Sequence, residues 1–566
     1  MAHGKSRVQA LGAALRRGLA RNQGKRFEVT ESNKENASGG TRRRGRLRCV
    51  GRTVLGLVLA LVLLNFAIGL GKFLWFATTC PYEIEYGEGI LLQNALNIAH
   101  GREVYNDYRH YPFVVATYPP VYPLLCAVGA RLFGISFTFG RLLSVLCTIG
   151  VAALIWAMLR RTGGSRFAAG FGATLFLAAP AVCRWGVVMR VDMVAVAFGV
   201  AGLYCVMRGG RWLTAAVVLL FLAVYTRQSQ VAPLAAGVLY LWWTRRRREA
   251  ALVAASFGAA VLVVFLALEL ASHGWFYRHV IVANMNYWEI QRLVEIWTWT
   301  FPTWRFPFLL GLLGVGFTLI GPGVSGKEPY TDPQPRPDRL LMLYFGFGML
   351  LSLTAGKVGS YVNYMLEPLA AASLMAGVAY MRLAQLFRSP RWKPAWVAAW
   401  LLMVGPPAWV LGHPNRAPYE PYAFSPYAIM QAGNKLVPLL RNTKGDVLSE
   451  DTGLLLITGH QILLDPHKMS SMSRDGTWDP RPLLRDISRR RFALIITTWN
   501  PGRDAPDRWG CYGWYRWTLS MGLAIKRNYY LRKHVGGLYA LAPADARHPS
   551  FATVTARFMA KHRLKK

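Results

Sequence analysis

A continuous apolar segment near the amino end constrains this chain more than any other feature. Residues 53 to 76 read TVLGLVLALVLLNFAIGLGKFLWF, and the only charge among them is Lys72, close to the far end. A helix needs about 20 apolar residues to cross the hydrocarbon core of a bilayer. A cleaved signal peptide has a shorter apolar stretch, about 7 to 15 residues, and a small-residue cleavage site, which is absent here. The sequence therefore predicts a membrane span that stays in the mature chain.

The connections between later apolar segments alternate between two kinds. Short basic connections lie at 160–166, 208–211, 245–249, 326–339 and 382–393, and connections rich in polar and aromatic residues lie at 77–138, 183–192, 225–230, 272–290 and 356–367. Basic loops remain in the cytoplasm of multi-span proteins. This alternation predicts an α-helical polytopic membrane protein with about eleven transmembrane helices within residues 53–412. It also predicts a first extracytoplasmic loop at 77–138.

The charge of the chain is explained by the same topology. There are 66 Lys and Arg against 28 Asp and Glu, a net charge of +38. The basic, Gly- and Ser-bearing tail at 1–52 has the composition of a disordered segment, and an excess of positive charge is typical of the cytoplasmic side. We therefore expect a cytoplasmic amino terminus and no nucleic-acid partner.

The carboxyl-terminal part, 413–566, has a different texture. From about Tyr427, short apolar runs such as FALIITTW alternate with a helical pattern in PLLRDISRRRF, which predicts a soluble α/β domain. The alternation of loops places this domain outside the cytoplasm. No phosphate-binding glycine motif and no metal-ligand spacing of Cys or His occurs, so the sequence predicts neither a cofactor nor a metal. Cys80 and Cys511 would both lie outside and could form a disulfide.

The first outward loop begins with the acidic stretch PYEIEYGEGILLQN, residues 81 to 94. It places Glu83, Glu85 and Glu88 within six positions. Apolar residues recur at helical spacing from there to His100, and Gly101 can cap the helix, so we expect a helix over residues 87–100 that lies along the membrane surface. If that helix begins early enough, Glu85 and Glu88 share one face.

Further charges lie at the outward ends of later segments. Asp192 begins one of the spans, and a carboxylate at that depth is a functional hypothesis by default. Arg190, Arg227 and Lys357 lie in neighbouring outward turns, as expected of an anion-binding site. Carboxylates next to cations suit a reaction in which a base deprotonates a hydroxyl while an anionic group, such as a lipid phosphate on a sugar, departs.

These motifs resemble a known family, the GT-C fold membrane glycosyltransferases, in particular the family 39-like enzymes related to protein O-mannosyltransferases and lipid A aminoarabinose transferases. The resemblance lies in EYGEGILLQNALNIAHGREVYNDY, YPPVYPLLCAVGARLFGISFTFGRLLS, RVDM, GKVGSYVNYMLEP and LSEDTGLLLITGHQILLDPHKMS. It implies an inverting glycosyltransferase of a bacterial plasma (inner) membrane. The donor would be a hexosyl or pentosyl polyprenyl phosphate, and the acceptor a hydroxyl of a glycan, lipid or protein.

The resemblance also implies roles for individual residues. Glu88 or Glu85 matches the family's catalytic base; because Gly87 replaces the first member of the usual Asp-Glu pair, the choice between them stays open. Asp192 matches a second acidic position and is expected to orient the acceptor. The expected ligands of the donor phosphate are Arg190, Arg227, Lys357 and Tyr364.

A transporter or flippase of lipid-linked sugars is the alternative from another class. It would also need charges at the outer face and within the membrane. Such proteins often consist of two related halves, and no internal repeat is evident in this sequence. The large first loop and the appended outer domain favour the glycosyltransferase.

Overall fold

The computed structural model describes residues 38–320, 336–386, 426–507, 510–513 and 515–556. The predicted last span, within 394–412, and residues 1–37 of the basic tail lie outside the described residues. Residues 38–52, which the sequence predicted to be disordered, belong to the first helix, Ser38–Thr79. The membrane part contains the helices Ser38–Thr79, Glu88–Ala99, Val121–Phe133, Thr138–Arg161, Arg166–Leu177, Pro180–Trp185, Val191–Arg208, Trp212–Thr226, Ala232–Trp243, Arg247–Ala271, Trp275–Val280, Ile290–Ile320, Pro337–Ser352 and Leu366–Leu386. Single 3₁₀ turns occur at Val282–Asn284, Leu353–Gly356 and Val362–Met365.

The described part of the chain contains fewer full-length spans than the sequence predicts. Six helices are long and apolar enough to cross a membrane: Gly56–Thr79, Thr138–Arg161, Val191–Arg208, Arg247–Ala271, Pro337–Gly356 and Val362–Leu386. A seventh results if Ile290–Pro302 and Trp304–Ile320, a sharply bent pair, count as one span. Three predicted spans are instead short apolar helices, Arg166–Leu177, Trp212–Thr226 and Ala232–Trp243. A fourth short apolar helix, Val121–Phe133, lies within the predicted first loop. The protein is thus a multi-span membrane protein, but the predicted count of eleven is not confirmed.

The helices of the membrane part pack closely through small residues. The helix Leu366–Leu386 is buried along nearly its whole length. A Cβ atom on Gly314 would lie 2.3 Å from the backbone oxygen of Met375, and one on Gly377 would lie 2.4 Å from a methyl group of Leu159. Glycine at such positions lets helix backbones approach each other in a bilayer. These close contacts hold together the helices that carry the loops of the candidate site.

The predicted helix of the first loop is confirmed and spans Glu88–Ala99; we call it the loop helix. Gly101 follows it with φ +67°, and the backbone N–H of Arg102 donates to the carbonyl of Asn97 at 2.7 Å, as in a glycine-terminated helix. The helix begins only at Glu88, so Glu85 lies in the preceding turn. The two glutamates therefore do not share a helix face.

The described carboxyl-terminal residues from 426 to 556 form a separate α/β unit, the C-terminal unit. Its helices are Pro426–Arg441, Thr452–Ile457, Pro466–Arg474, Arg481–Ser488 and Leu519–Asn528. Its four-stranded sheet is built from β1 (Val447–Ser449), β2 (Leu494–Thr497), β5 (Tyr529–Val535) and β6 (Leu538–Pro543), in the order β1-β2-β6-β5. Only the β1–β2 pair is parallel. A second pair, β3 (Cys511–Tyr512) and β4 (Trp517–Thr518), forms a short antiparallel ribbon.

The C-terminal unit packs directly on the first loop. A Cβ on Gly89 of the loop helix would lie 2.6 Å from the backbone nitrogen of Gly453. The backbone of Phe113 also pairs with that of Leu464. The predicted disulfide is wrong, because Cys80 and Cys511 are both buried free thiols. The contact between loop and unit is thus made by packing and hydrogen bonds.

Candidate active site

Glu88 forms a fully buried ion pair with Arg141 of the helix Thr138–Arg161. Both side chains have no exposed surface, and the guanidinium donates to the two carboxylate oxygens at 2.7 and 3.0 Å. The backbone N–H groups of Ile84 and Met189 donate to the same carboxylate at 2.7 and 2.6 Å. Other N–H groups of Arg141 donate to carbonyl oxygens at the end of the first helix and in the turn before the loop helix. Every oxygen of Glu88 is therefore occupied by the protein.

The electrostatics of Glu88 agree with a structural role. Burial alone would raise the pKa of this carboxyl, but Arg141 and the backbone donors hold it below its usual value. A carboxylate whose two oxygens are both bound by buried donors of the protein cannot reach a substrate hydroxyl. The geometry therefore favours Glu85 between the two glutamates that the sequence left open.

Glu85 lies on the wall of a cavity of about 710 Å³ between the membrane part and the C-terminal unit. Its carboxylate oxygen Oε2 is 3.4 Å from an Nη of Arg190 and makes no hydrogen bond among the described residues. Burial raises the pKa of Glu85 to about 7, the nearby guanidinium of Arg190 opposes this rise, and the charges of Glu88 and Asp192 add to it. A carboxyl that titrates near neutrality is suited to general-base catalysis.

Asp192 lies one layer behind the cavity wall and is fully buried. Its Oδ1 is 2.9 Å from an Nη of Arg227 and accepts a hydrogen bond from the amide of Asn363 at 2.9 Å. Its Oδ2 is 3.8 Å from the Nε of Arg190. The carboxylate of Asp192 thus lies between the guanidinium groups of Arg190 and Arg227.

The four residues expected to bind the donor phosphate lie in different places. Arg190 and Tyr364 line the cavity. Arg227 lies behind them, with its guanidinium carbon 4.6 Å from the ring centre of Tyr364. Lys357 lies at the edge of the site, and its Nζ donates to the backbone oxygen of Asn284 at 3.1 Å. The structure brings Arg190, Arg227 and Tyr364 together and places Lys357 next to the C-terminal unit.

The third glutamate of the loop connects it to the C-terminal unit. The carboxylate of Glu83 accepts hydrogen bonds from the backbone N–H groups of Gly87 at 2.8 Å and Gly453 at 2.6 Å. Burial raises the pKa of Glu83 and also that of Asp451, whose value is about 6. Two buried carboxyl groups with raised pKa values can share a proton. Glu83 therefore joins the loop to the unit through backbone N–H groups.

Several cavity residues come from the C-terminal unit, and the sequence did not assign them to the active site. The hydroxyl of Tyr86 donates to Asp465 at 2.7 Å and accepts from the backbone N–H of His467 at 3.0 Å. Lys468 lines the cavity beside them, and the guanidinium of Arg516 lies 4.4 Å from the ring centre of Tyr86. Burial lowers the pKa of His467 to about 3, so its imidazole is neutral. The only signal in the sequence is the polar DPHK segment that follows an apolar run.

Part of the sequence and the fold of the chain are similar to those of known proteins. Residues 117–272 match the sequence profile of the dolichyl-phosphate-mannose-protein mannosyltransferase family. No curated protein matches the chain by sequence. The fold matches the crystal structure of ArnT from Cupriavidus metallidurans in the apo state, with a TM-score of 0.54, 15% identity, and coverage of 86% of this chain and 98% of ArnT. The same enzyme bound to undecaprenyl phosphate matches with a TM-score of 0.53 at 15% identity and the same coverage.

Both comparisons point to the group that the sequence motifs resemble. The family profile covers the exit of the first loop and the helices up to Ala271, which include Asp192 and Arg227. The structural match extends over most of the chain. Residues 117–272 are therefore similar to this glycosyltransferase family, and the chain shares its fold with ArnT.

Proposed function

We propose that this protein transfers a hexosyl or pentosyl group from a polyprenyl-phosphate donor to an acceptor hydroxyl at the outer face of the inner membrane. The observation that carries the proposal is the cavity-facing pair of Glu85 and Arg190, with the Asp192–Arg227 pair directly behind it. It offers a carboxylate that can accept a proton beside cations that can stabilise an anion. ArnT, which shares the fold, has been solved with undecaprenyl phosphate, and this supports the donor class.

In this mechanism Glu85 removes the proton of the acceptor hydroxyl as its oxygen attacks C1 of the donor sugar. The bond between C1 and the phosphate oxygen breaks, and its electron pair leaves with the lipid phosphate. The attack comes from the opposite side of the leaving group, so the configuration at C1 inverts. Arg190 and the hydroxyl of Tyr364, both on the cavity wall, stabilise the departing phosphate, as does Lys357 at the edge of the site.

Asp192 acts as a positioning residue. Because it is fully buried and holds Arg227 and Arg190, it fixes the cations before the substrate arrives, and such preorganisation is a main source of electrostatic catalysis. The sequence suggested that Asp192 orients the acceptor. Its burial behind the wall favours the indirect role.

The test uses purified protein and a panel of radiolabelled polyprenyl-phosphate sugars, with total cell-envelope material as acceptor. Glu85→Gln should lower transfer on the order of a hundredfold or more, because loss of a general base typically has that effect. Glu103→Gln is the matched control, since Glu103 is an exposed glutamate of the same loop. Folded Glu85→Gln protein with wild-type transfer would contradict the assignment. Movement of labelled lipid across vesicles without sugar transfer would instead indicate a transporter.

A further inference from the structure

Two lysines beside the cavity, unlike three of its arginines, have no carboxylate partner among the described residues. Three arginines of the wall each have a carboxylate oxygen 2.8 to 3.4 Å away: Arg190, Arg292 and Arg516. Within the described part of the chain, neither Lys468 nor Lys357 has a carboxylate oxygen within 4.0 Å. The charges of these three arginines are thus compensated by nearby carboxylates, whereas neither lysine has such a partner among the described residues.

The two ammonium groups meet at one residue of the 3₁₀ turn Val282–Asn284. Nζ of Lys468 lies 3.3 Å from the side-chain oxygen of Asn284 and 3.5 Å from that of Asn286. Nζ of Lys357 donates to the backbone oxygen of Asn284 at 3.1 Å. Both partners are neutral amides, which orient the ammonium groups and leave their charges in place.

Burying the ammonium group of Lys468 without an anion costs free energy. Lys468 is only 6% exposed, and an ammonium group that is buried without a counter-charge loses much hydration energy. Burial lowers its pKa to about 8, Asp465 opposes this shift, and Lys357 adds to it. The carboxylate of Asp465 is already bound to Tyr86 and to the backbone N–H of Lys468. At neutral pH Lys468 is still protonated and has no ion-pair partner.

We propose that Lys468 and Lys357 together form a phosphate-binding subsite, so that the C-terminal unit contributes directly to substrate binding. This inference rests on the proposed function, because it places a substrate phosphate in the same cavity. Of the two lysines, only Lys357 is suggested as a phosphate ligand by the resemblance to known glycosyltransferases. The ligand is either the phosphate of the polyprenyl donor or a phosphate carried by the acceptor, since both present the same anionic oxygens.

The test compares Lys468→Met and Lys357→Met with a control variant, Lys444→Met. Lys444 is an exposed lysine of the C-terminal unit. Binding of undecaprenyl phosphate is measured in detergent as the rise in unfolding temperature with ligand concentration. If the subsite holds the donor phosphate, Lys468→Met and Lys357→Met should each bind undecaprenyl phosphate at least about tenfold more weakly, in line with the loss of a charge-assisted contact. If it holds a phosphate of the acceptor, only the KM for the acceptor and the inhibition by phosphate should change. Without ligand, Lys468→Met should unfold at or above the wild-type temperature, because an unpaired buried charge is removed. Lys468→Arg should keep part of the affinity.

Kinetics with the same variants identify which phosphate is bound. A higher KM for the donor supports the lipid phosphate as ligand, and a higher KM for the acceptor supports a phosphate on the acceptor. Inorganic phosphate should inhibit the wild type more strongly than either variant. Unchanged lipid binding, KM values and phosphate inhibition in folded variants would overturn the inference. Wild-type protein that binds undecaprenyl phosphate through these lysines but transfers no sugar would contradict the proposed function and leave the subsite standing.

Discussion

Glu85 and Glu88 show how two identical side chains in one short segment acquire different properties. Glu88 is surrounded by Arg141 and backbone donors, which keep it ionised and closed to the cavity. Glu85 faces the cavity with one oxygen without a hydrogen bond. The sequence showed that both could act as a base. It could not show which one has a buried cation from a distant helix, because that contact depends on the fold.

The raised pKa of Glu85 predicts the pH dependence of the reaction. A general base works in its ionised form, so kcat/KM should rise with pH, with its midpoint at about 7, the pKa of Glu85 in the free protein, and level off above it. In Arg190→Gln the cation that lowers this pKa is lost, so the midpoint should move to higher pH. The measurement is kcat/KM from pH 5 to 9. An unchanged midpoint in Arg190→Gln would show that another group sets the profile.

The Glu88–Arg141 pair predicts an effect on stability. Arg141→Met leaves a buried carboxyl without its partner, and breaking a buried pair in this way costs about 3–5 kcal/mol. The unfolding temperature in detergent should fall markedly, and the double variant Glu88→Leu with Arg141→Met should recover most of it. A single variant as stable as the wild type would show that the pair adds little to the fold.

At the scale of elements, helical spacing predicted the loop helix well and the spans less well. Apolar residues at 3.6-residue spacing and the following Gly101 identified Glu88–Ala99 to within a residue. A helix such as Trp212–Thr226 has only 15 residues, which corresponds to about 22 Å, shorter than the hydrocarbon core. Its hydropathy resembles that of a span, because packing against other helices and contact with lipid both favour apolar residues.

The contact between the loop helix and the C-terminal unit yields a prediction at this scale. A Cβ on Gly89 would lie 2.3 Å from the Thr452 hydroxyl oxygen and 2.6 Å from the backbone nitrogen of Gly453. Gly89→Ala should therefore push the unit away and lower transfer at least about tenfold, since small misplacements of a site are costly. Gly150→Ala is the control, because a Cβ there has no neighbour within 4 Å. Equal transfer by the two variants would show that this contact does not position the site.

At the scale of the whole molecule, the cavity is built from parts of the chain that are far apart. Tyr86 and Asp465 are 379 positions apart and yet share a hydrogen bond of 2.7 Å. Local sequence patterns report which residues can form a helix or a strand, but not which distant unit covers them. For this reason the sequence identified the membrane half of the site and missed Lys468 and Arg516 as members of it.

The orientation of the chain remains a prediction that fusion proteins can test. The basic loops predict a cytoplasmic amino terminus and an external C-terminal unit. Alkaline phosphatase fused after Lys566 should therefore be active in a bacterial host. Green fluorescent protein fused at the same position should not fluoresce, because the Sec route would export it unfolded. Green fluorescent protein fused before Met1 should fluoresce and serves as the control. The opposite pattern would place the cavity on the cytoplasmic side.

The ion pair between Glu88 and Arg141 also has a consequence for biogenesis. Arg141 lies near one end of a helix that is long enough to span the membrane, and its partner lies on the loop that precedes it. While the nascent loop is undocked, we expect the long arginine side chain to extend towards the lipid headgroups. Docking of the loop neutralises this charge and lets the helix settle at its final depth. Insertion of the helix and folding of the first loop would then be completed in a single step.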